Sequence, residues 1–155
     1  MTTSSTVDSD FVRLVADIFD DWQRGRKEPV MPVSLDRALW ATLSGSDLTR
    51  LTAASGAGAT WTEAAELLRA AARAAAPVPL AENDLLAQWL LERCGLLDGG
   101  GADEIRTVAC LDPAGRARGV PWAGCADSLV ALWQDHGRWL VADVPAAMVT
   151  VVARP

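Results

Sequence analysis

The sequence predicts an α+β protein: an N-terminal all-helical bundle of about four helices, followed by an incomplete antiparallel β-barrel or sheet. Three observations carry that expectation. Apolar residues recur at three- and four-residue steps as far as Cys94. Three consecutive glycines, Gly99 to Gly101, then interrupt the chain. Beyond them the apolar runs shorten to strand length, with turn residues between. The expected organisation is a helical domain over residues 1–97, a Gly-rich linker over 98–104 and a partial β-domain over 105–155.

The first helix is predicted from about Asp8 to Trp22, where Phe11, Leu14, Val15, Ile18, Phe19 and Trp22 form an apolar stripe. Its other face carries Asp10, Arg13, Asp17, Asp20 and Asp21, a charge pattern that reads as a solvated face. Gln23 to Val33 is a polar connection. Ser34 is the expected cap of helix two, with Leu35, Ala38 and Leu39 inside and Gly45 closing it. Leu48 and Leu51 are expected to pack under the loop Ala53 to Ala59.

Thr60 and Glu63 have capping-box spacing and open a third helix rich in Ala, Leu, Glu and Arg. Trp61, Ala64, Leu68, Ala71 and Ala75 form its expected inner face, and Pro77 its stop. A fourth helix is predicted from a cap at Asn83 to Cys94, burying Leu86, Trp89, Leu90 and Arg93, with Gly95 ending it.

Ile105 to Leu111 reads as a strand, and Asp112-Pro113-Ala114-Gly115 as a turn with Pro at its second position and Gly at its fourth. Arg116 to Val120 is a candidate return strand. Ser128 to Trp133 and Arg138 to Asp143 flank Gln134-Asp135-His136-Gly137 as a hairpin, and Met148 to Ala153 is a last apolar run. Four or five strands without a closing partner leave edges exposed. The run up to Arg154-Pro155 lacks a cap or covering helix, so completion by a partner, or a fragment, is expected.

Composition narrows the function. The chain has 155 residues, half of them apolar, enough for one domain or one and a half with a sizeable core. A net charge of −6 with no basic stripe argues against a nucleic-acid or anionic-membrane partner. No apolar run approaches the length of a membrane span. All 14 basic residues except Lys27 are arginine, which with the abundant alanine suggests a GC-rich bacterial genome. Cys94, Cys110 and Cys125, without a CxxC or a signal peptide, suit a reducing cytoplasm. Met1 to Val7 reads as a frayed tail.

Gly56 and Gly58 precede a helix, but Trp61 stands where a dinucleotide fingerprint has its third glycine, and no P-loop lysine follows. Cys94, Cys110, Cys125 and His136 are a legitimate zinc set, yet none arrives in a close pair. One histidine in a turn, and no GxSxG elbow, argue against a Ser-His-Asp or Cys-His site. Trp22, Trp40, Trp61 and Trp89 read as helix packing; Trp122, in an irregular segment, could face a ligand.

An order of weak motifs then becomes recognisable. The amphipathic helix, Leu39-Trp40-Ala41-Thr42-Leu43, Gly56-Ala57-Gly58, Thr62-Glu63-Ala64-Ala65, Ala76-Pro77-Val78-Pro79-Leu80 and Leu85-Leu86 resemble the N-terminal helical domain of acyl-CoA dehydrogenases. Val120-Pro121-Trp122-Ala123 with Ala126-Asp127 is similar to the start of their middle β-domain. The resemblance runs from Phe11 to Ala153 and implies a truncated or degenerate member, less than half of a usual one. It also implies FAD as cofactor and an acyl thioester as substrate, dehydrogenated at its α,β bond by a carboxylate base and the flavin. The family's base lies in a C-terminal helical domain outside this sequence, so no catalytic residue is assigned. Trp122 is the expected cofactor-binding residue. The family's Thr-Glu-Pro…Gly-Ser-Asp segment against the flavin has Leu111-Asp112-Pro113-Ala114-Gly115-Arg116 as its nearest piece, without the hydroxyls. Two functions follow: part of a homo- or hetero-oligomeric dehydrogenase, or a non-catalytic module that binds another protein.

Overall fold

A computed structural model describes residues 7–26, 33–54, 56–97, 101 and 103–152. The expected tail over 1–6, the middle of the Gln23–Val33 connection, most of the glycine run and Ala153 lie outside the described residues. Helices come first and strands second, and the sheet is open. The chain divides between Val78 and Pro79 into two compact units, so the fourth helical segment groups with the strands.

In the first unit, α1 (Ser9–Gly25) starts on Asp8, whose carboxylate accepts the Asp10 N–H at 2.9 Å. Val15 and Phe19 are its buried residues, while Leu14 is 44% exposed. The next helix, α2 (Arg37–Gly45), is capped by Asp36 and not by Ser34: the Asp36 carboxylate accepts the Leu39 N–H at 2.9 Å. The carboxylate also holds Trp22, an anchor that the Ser34 hydroxyl lacks. Leu39, Trp40 and Leu43 are buried. Leu48 and Leu51 follow, buried around a 3₁₀ turn.

The capping box forms. In α3 (Trp61–Ala74), the Glu63 N–H donates to Thr60 Oγ1 at 3.3 Å and the Thr60 N–H to Glu63 Oε2 at 2.7 Å. The inner face is Ala64, Leu67, Ala71 and Ala74, a row of mostly small side chains, and α1 packs against this helix. Trp61, expected inside, is 61% exposed. The first turn of the helix carries it past the packed row. The helix stops at Ala75 in a left-handed conformation, with the Ala76 N–H on Ala71 O, before Pro77 acts.

In the second unit Asn83 does not cap a helix. It lies inside a π-helix, Ala81–Gln88, that continues as α4 (Trp89–Cys94). A π-helix bonds five residues back instead of four, so positions beyond it slip by about one residue relative to an α-helix. The buried residues are accordingly Asn83, Asp84, Ala87, Gln88 and Leu91, while Leu86 and Trp89, expected inside, are exposed.

Strands β1 (Arg106–Cys110), β2 (Ser128–Asp135) and β3 (Arg138–Pro145) form a sheet in that order. The β2–β3 pair is antiparallel, joined at His136-Gly137, both at positive φ, the two-residue turn whose twist suits a hairpin. The β1–β2 pair is parallel, against the all-antiparallel expectation. The connection over residues 111–127 carries the chain back to the starting end of β1, and it is long enough to do so. Arg116 to Val120 consequently forms no strand. Nor do residues 149–152, and the 3₁₀ turn Ala146–Met148 is the last regular structure among the described residues. Ala87, Leu91 and Val130 centre the core of this unit, with Leu90, Leu97, Val108 and Val141 against them.

Candidate functional site

Each place that the sequence singled out now has a geometry. The glycine loop is structural. A Cβ on Gly56 would come within 2.0 Å of the Arg50 carbonyl oxygen, so only glycine fits that close approach. On α1, Asp10 pairs with Arg13 and Asp21 with Arg24, all exposed. His136 is exposed at the hairpin, Cys94 and Cys110 are exposed and Cys125 is half-buried. Among the described residues no three His, Cys, Asp or Glu side chains converge.

Trp122 sits in the turn that leads to β2. Its φ is 60°, a left-handed conformation that costs a non-glycine residue about 1–2 kcal/mol. The turn is held because the Trp122 carbonyl accepts the N–H groups of Cys125 at 2.9 Å and Ala126 at 3.0 Å. Just beyond, Asp127 ties the end of the sheet together. Its N–H donates to Ile105 O, its carboxylate accepts the Ile105 N–H, and its carbonyl accepts the Ala146 N–H. The indole is therefore presented from a strained, pinned backbone. Replacing Trp122 with glycine is expected to destabilise the chain less than replacing it with alanine, by about 1 kcal/mol in urea unfolding, because glycine relieves the left-handed strain. Alanine as the milder change would contradict it.

The Asp112 turn lies at the other end of β1. Its carboxylate Oδ1 accepts two N–H groups, from Ala114 and Arg116, each at 2.9 Å. The structure thus places Trp122 and the Leu111–Arg116 loop at opposite ends of the parallel pair. The donor set of that loop does not fit a flavin. A flavin's phosphates and ring carbonyls accept hydrogen bonds, and here the loop's N–H groups already serve its own carboxylate.

Two polar clusters escaped the sequence reading. In the first unit the Trp22 Nε1–H donates to Asp36 Oδ2 at 2.8 Å, and Arg26 lies 4.8 Å from the Trp22 ring centre while donating to Ala74 O. Burial by itself would raise the Asp36 carboxyl. The N–H groups of Leu39, Trp22 and Ala38 and the charge of Arg26 outweigh it and hold the group below its ordinary range. An open cavity of about 560 Å³ lies here, walled by Trp22, Arg26, Asp36 and Arg37 among others. The contacts of Trp22, Arg26 and Asp36 with one another and with the backbone make the cluster a structural latch. In the second unit Arg106 is buried between Glu104 at 2.8 Å and Asp143 at 2.9 Å. The only sequence signal for it was a charge within an apolar strand.

A helical unit followed by a helix-backed open sheet is a fold shared with about half of the chain in solved acyl-CoA dehydrogenase structures. In particular, the chain is similar to a chain of the ChsE4-ChsE5 complex from Mycobacterium tuberculosis, with a TM-score of 0.70 and 25% identity. It is also similar to a chain of the Tcur3481-Tcur3483 steroid ACAD G363A variant, with a TM-score of 0.65 and 24% identity. These matches cover 94% and 89% of this chain but 49% and 47% of theirs, so it spans about half their length. No family profile and no curated protein matches the sequence.

Proposed function

We propose that the chain is an acyl-CoA dehydrogenase-like protein that serves, in a full-length or partnered assembly, the FAD-dependent α,β-dehydrogenation of an acyl thioester. The fold shared over 94% of the chain carries this reading. Among the described residues we assign no general base, and we place the carboxylate that takes the α-proton elsewhere in the full-length or partnered assembly. Trp122 is the residue we assign to the cofactor side, as a flat ring held at a strained turn. Both similar structures are named for two proteins, which supports a homo- or hetero-oligomer. No described helix is long and apolar enough to cross a membrane, and we place the assembly in the cytoplasm, with free thiols at its exposed Cys94 and Cys110.

The test is purification of the tagged chain from its own cells under gentle conditions. The fraction would be examined by visible absorption and by dye reduction with straight-chain and steroid-side-chain acyl thioesters. A stoichiometric flavoprotein partner and thioester-dependent dye reduction are expected. A chain that elutes alone and inert would sink the proposal.

The exposed apolar residues Leu86 and Trp89 and the open edges of β1 and β3 favour a second reading, a non-catalytic module that docks onto another protein. A colourless stoichiometric complex without dehydrogenase activity would select it.

A further inference from the structure

We infer that the Leu111–Arg116 loop is an anion nest already filled by its own Asp112, so that its backbone donors are closed to a flavin. The inference rests on the dehydrogenase-like reading above only for the choice of flavin as the excluded group. Every backbone donor of the loop is engaged. Leu111 N–H donates to Leu132 O at 2.8 Å, Asp112 N–H to Arg116 O at 2.8 Å and Gly115 N–H to Asp112 O at 2.9 Å. Ala114 N–H and Arg116 N–H both donate to Asp112 Oδ1 at 2.9 Å, and Pro113 has no N–H to give.

Successive N–H groups converging on one point make a concavity that binds anions such as phosphate. Here the converging groups meet a carboxylate from the same turn. An incoming flavin phosphate would have to expel a tethered anion, and it would meet that carboxylate's negative charge on approach. The loop carries no serine or threonine hydroxyl to replace the lost donors. Glycine at position 115 supplies the left-handed step that lets the turn close, at φ 73°.

The experiment uses the full chain. Amide hydrogen exchange is followed residue by residue by NMR in the native protein and in Asp112→Ala, and FAD is added to the native protein and removed by dialysis before an absorption spectrum. The Ala114 and Arg116 amides are expected to exchange slowly in the native chain and about 10-fold faster in the variant. The dialysed native chain is expected to be colourless. Unprotected Ala114 and Arg116 amides in the native chain would overturn the closed loop, whatever assembly the chain belongs to. About one retained FAD per chain would overturn the exclusion of flavin. Absence of any dehydrogenase assembly would count against the family reading and leave the exchange result standing.

Discussion

Arg106→Met is expected to lower the unfolding free energy by about 3 kcal/mol. The guanidinium is 3% exposed and forks between Glu104 and Asp143. Methionine keeps the apolar stem but deletes the charge and its donors. Removing one partner of a buried ion pair costs roughly 3–5 kcal/mol because the other charge is left without compensation. The lower end applies, since the Glu104 and Asp143 side chains are 27% and 22% exposed and can recover some water. Lysine is not an adequate substitute, because a single ammonium cannot reproduce the fork. The measurement is urea unfolding followed by tryptophan fluorescence. A change below about 1 kcal/mol would mean that the network stabilises no more than a surface pair does.

Asp36→Ala is expected to cost about 2 kcal/mol near neutral pH, the sum of a lost helix cap and a lost hydrogen bond from Trp22. The effect has a pH signature. The Asp36 carboxyl titrates lower in the folded chain than in the unfolded one. Its contribution is therefore fully present above its unfolded value, about 3.9, and disappears as pH falls through the lower folded value. Native and variant stabilities should begin to converge as pH falls below about 4, and the variant should lack that part of the acid limb. Trp22→Phe removes only the indole donor and should cost about 1 kcal/mol. A difference between native and Asp36→Ala that stays constant down to the acid transition would show that the carboxylate charge contributes nothing.

The fourth helix shows why part of the fold could not be read from the sequence. An α-helical period over residues 83–94 places Leu86, Trp89, Leu90 and Arg93 inside. Eight residues of π-helix shift the inner face to Ala87 and Leu91 and bring Asn83 against β1, where its Oδ1 accepts the Arg106 N–H at 2.8 Å. A π-turn leaves no periodic mark on a single sequence, because it is set by what the helix packs on. The parallel β1–β2 pairing is similar. Both strands were legible, but a turn at Asp112 suggests a hairpin, and only the length of the stretch after it hinted at a return crossover. Trp122 was legible as an unusual tryptophan, but its left-handed backbone and its separation from the Asp112 loop were not.

Several features whose partners lie within four residues were determined by the sequence alone. The Thr60/Glu63 capping box, the Asp112 turn and the His136-Gly137 hairpin belong to that class, as does the helices-then-strands order that the apolar periods impose. Local backbone geometry and short-range hydrogen bonds decide these before any distant contact forms. Tertiary structure decided the rest: which helix faces are buried, the parallel pairing, the Trp22–Asp36–Arg26 latch and the Glu104–Arg106–Asp143 triad. The Trp22–Asp36 bond and the Arg106–Asp143 pair join residues 14 and 37 positions apart, and their energies come from burial and paired charge, which exist only once the chain has packed.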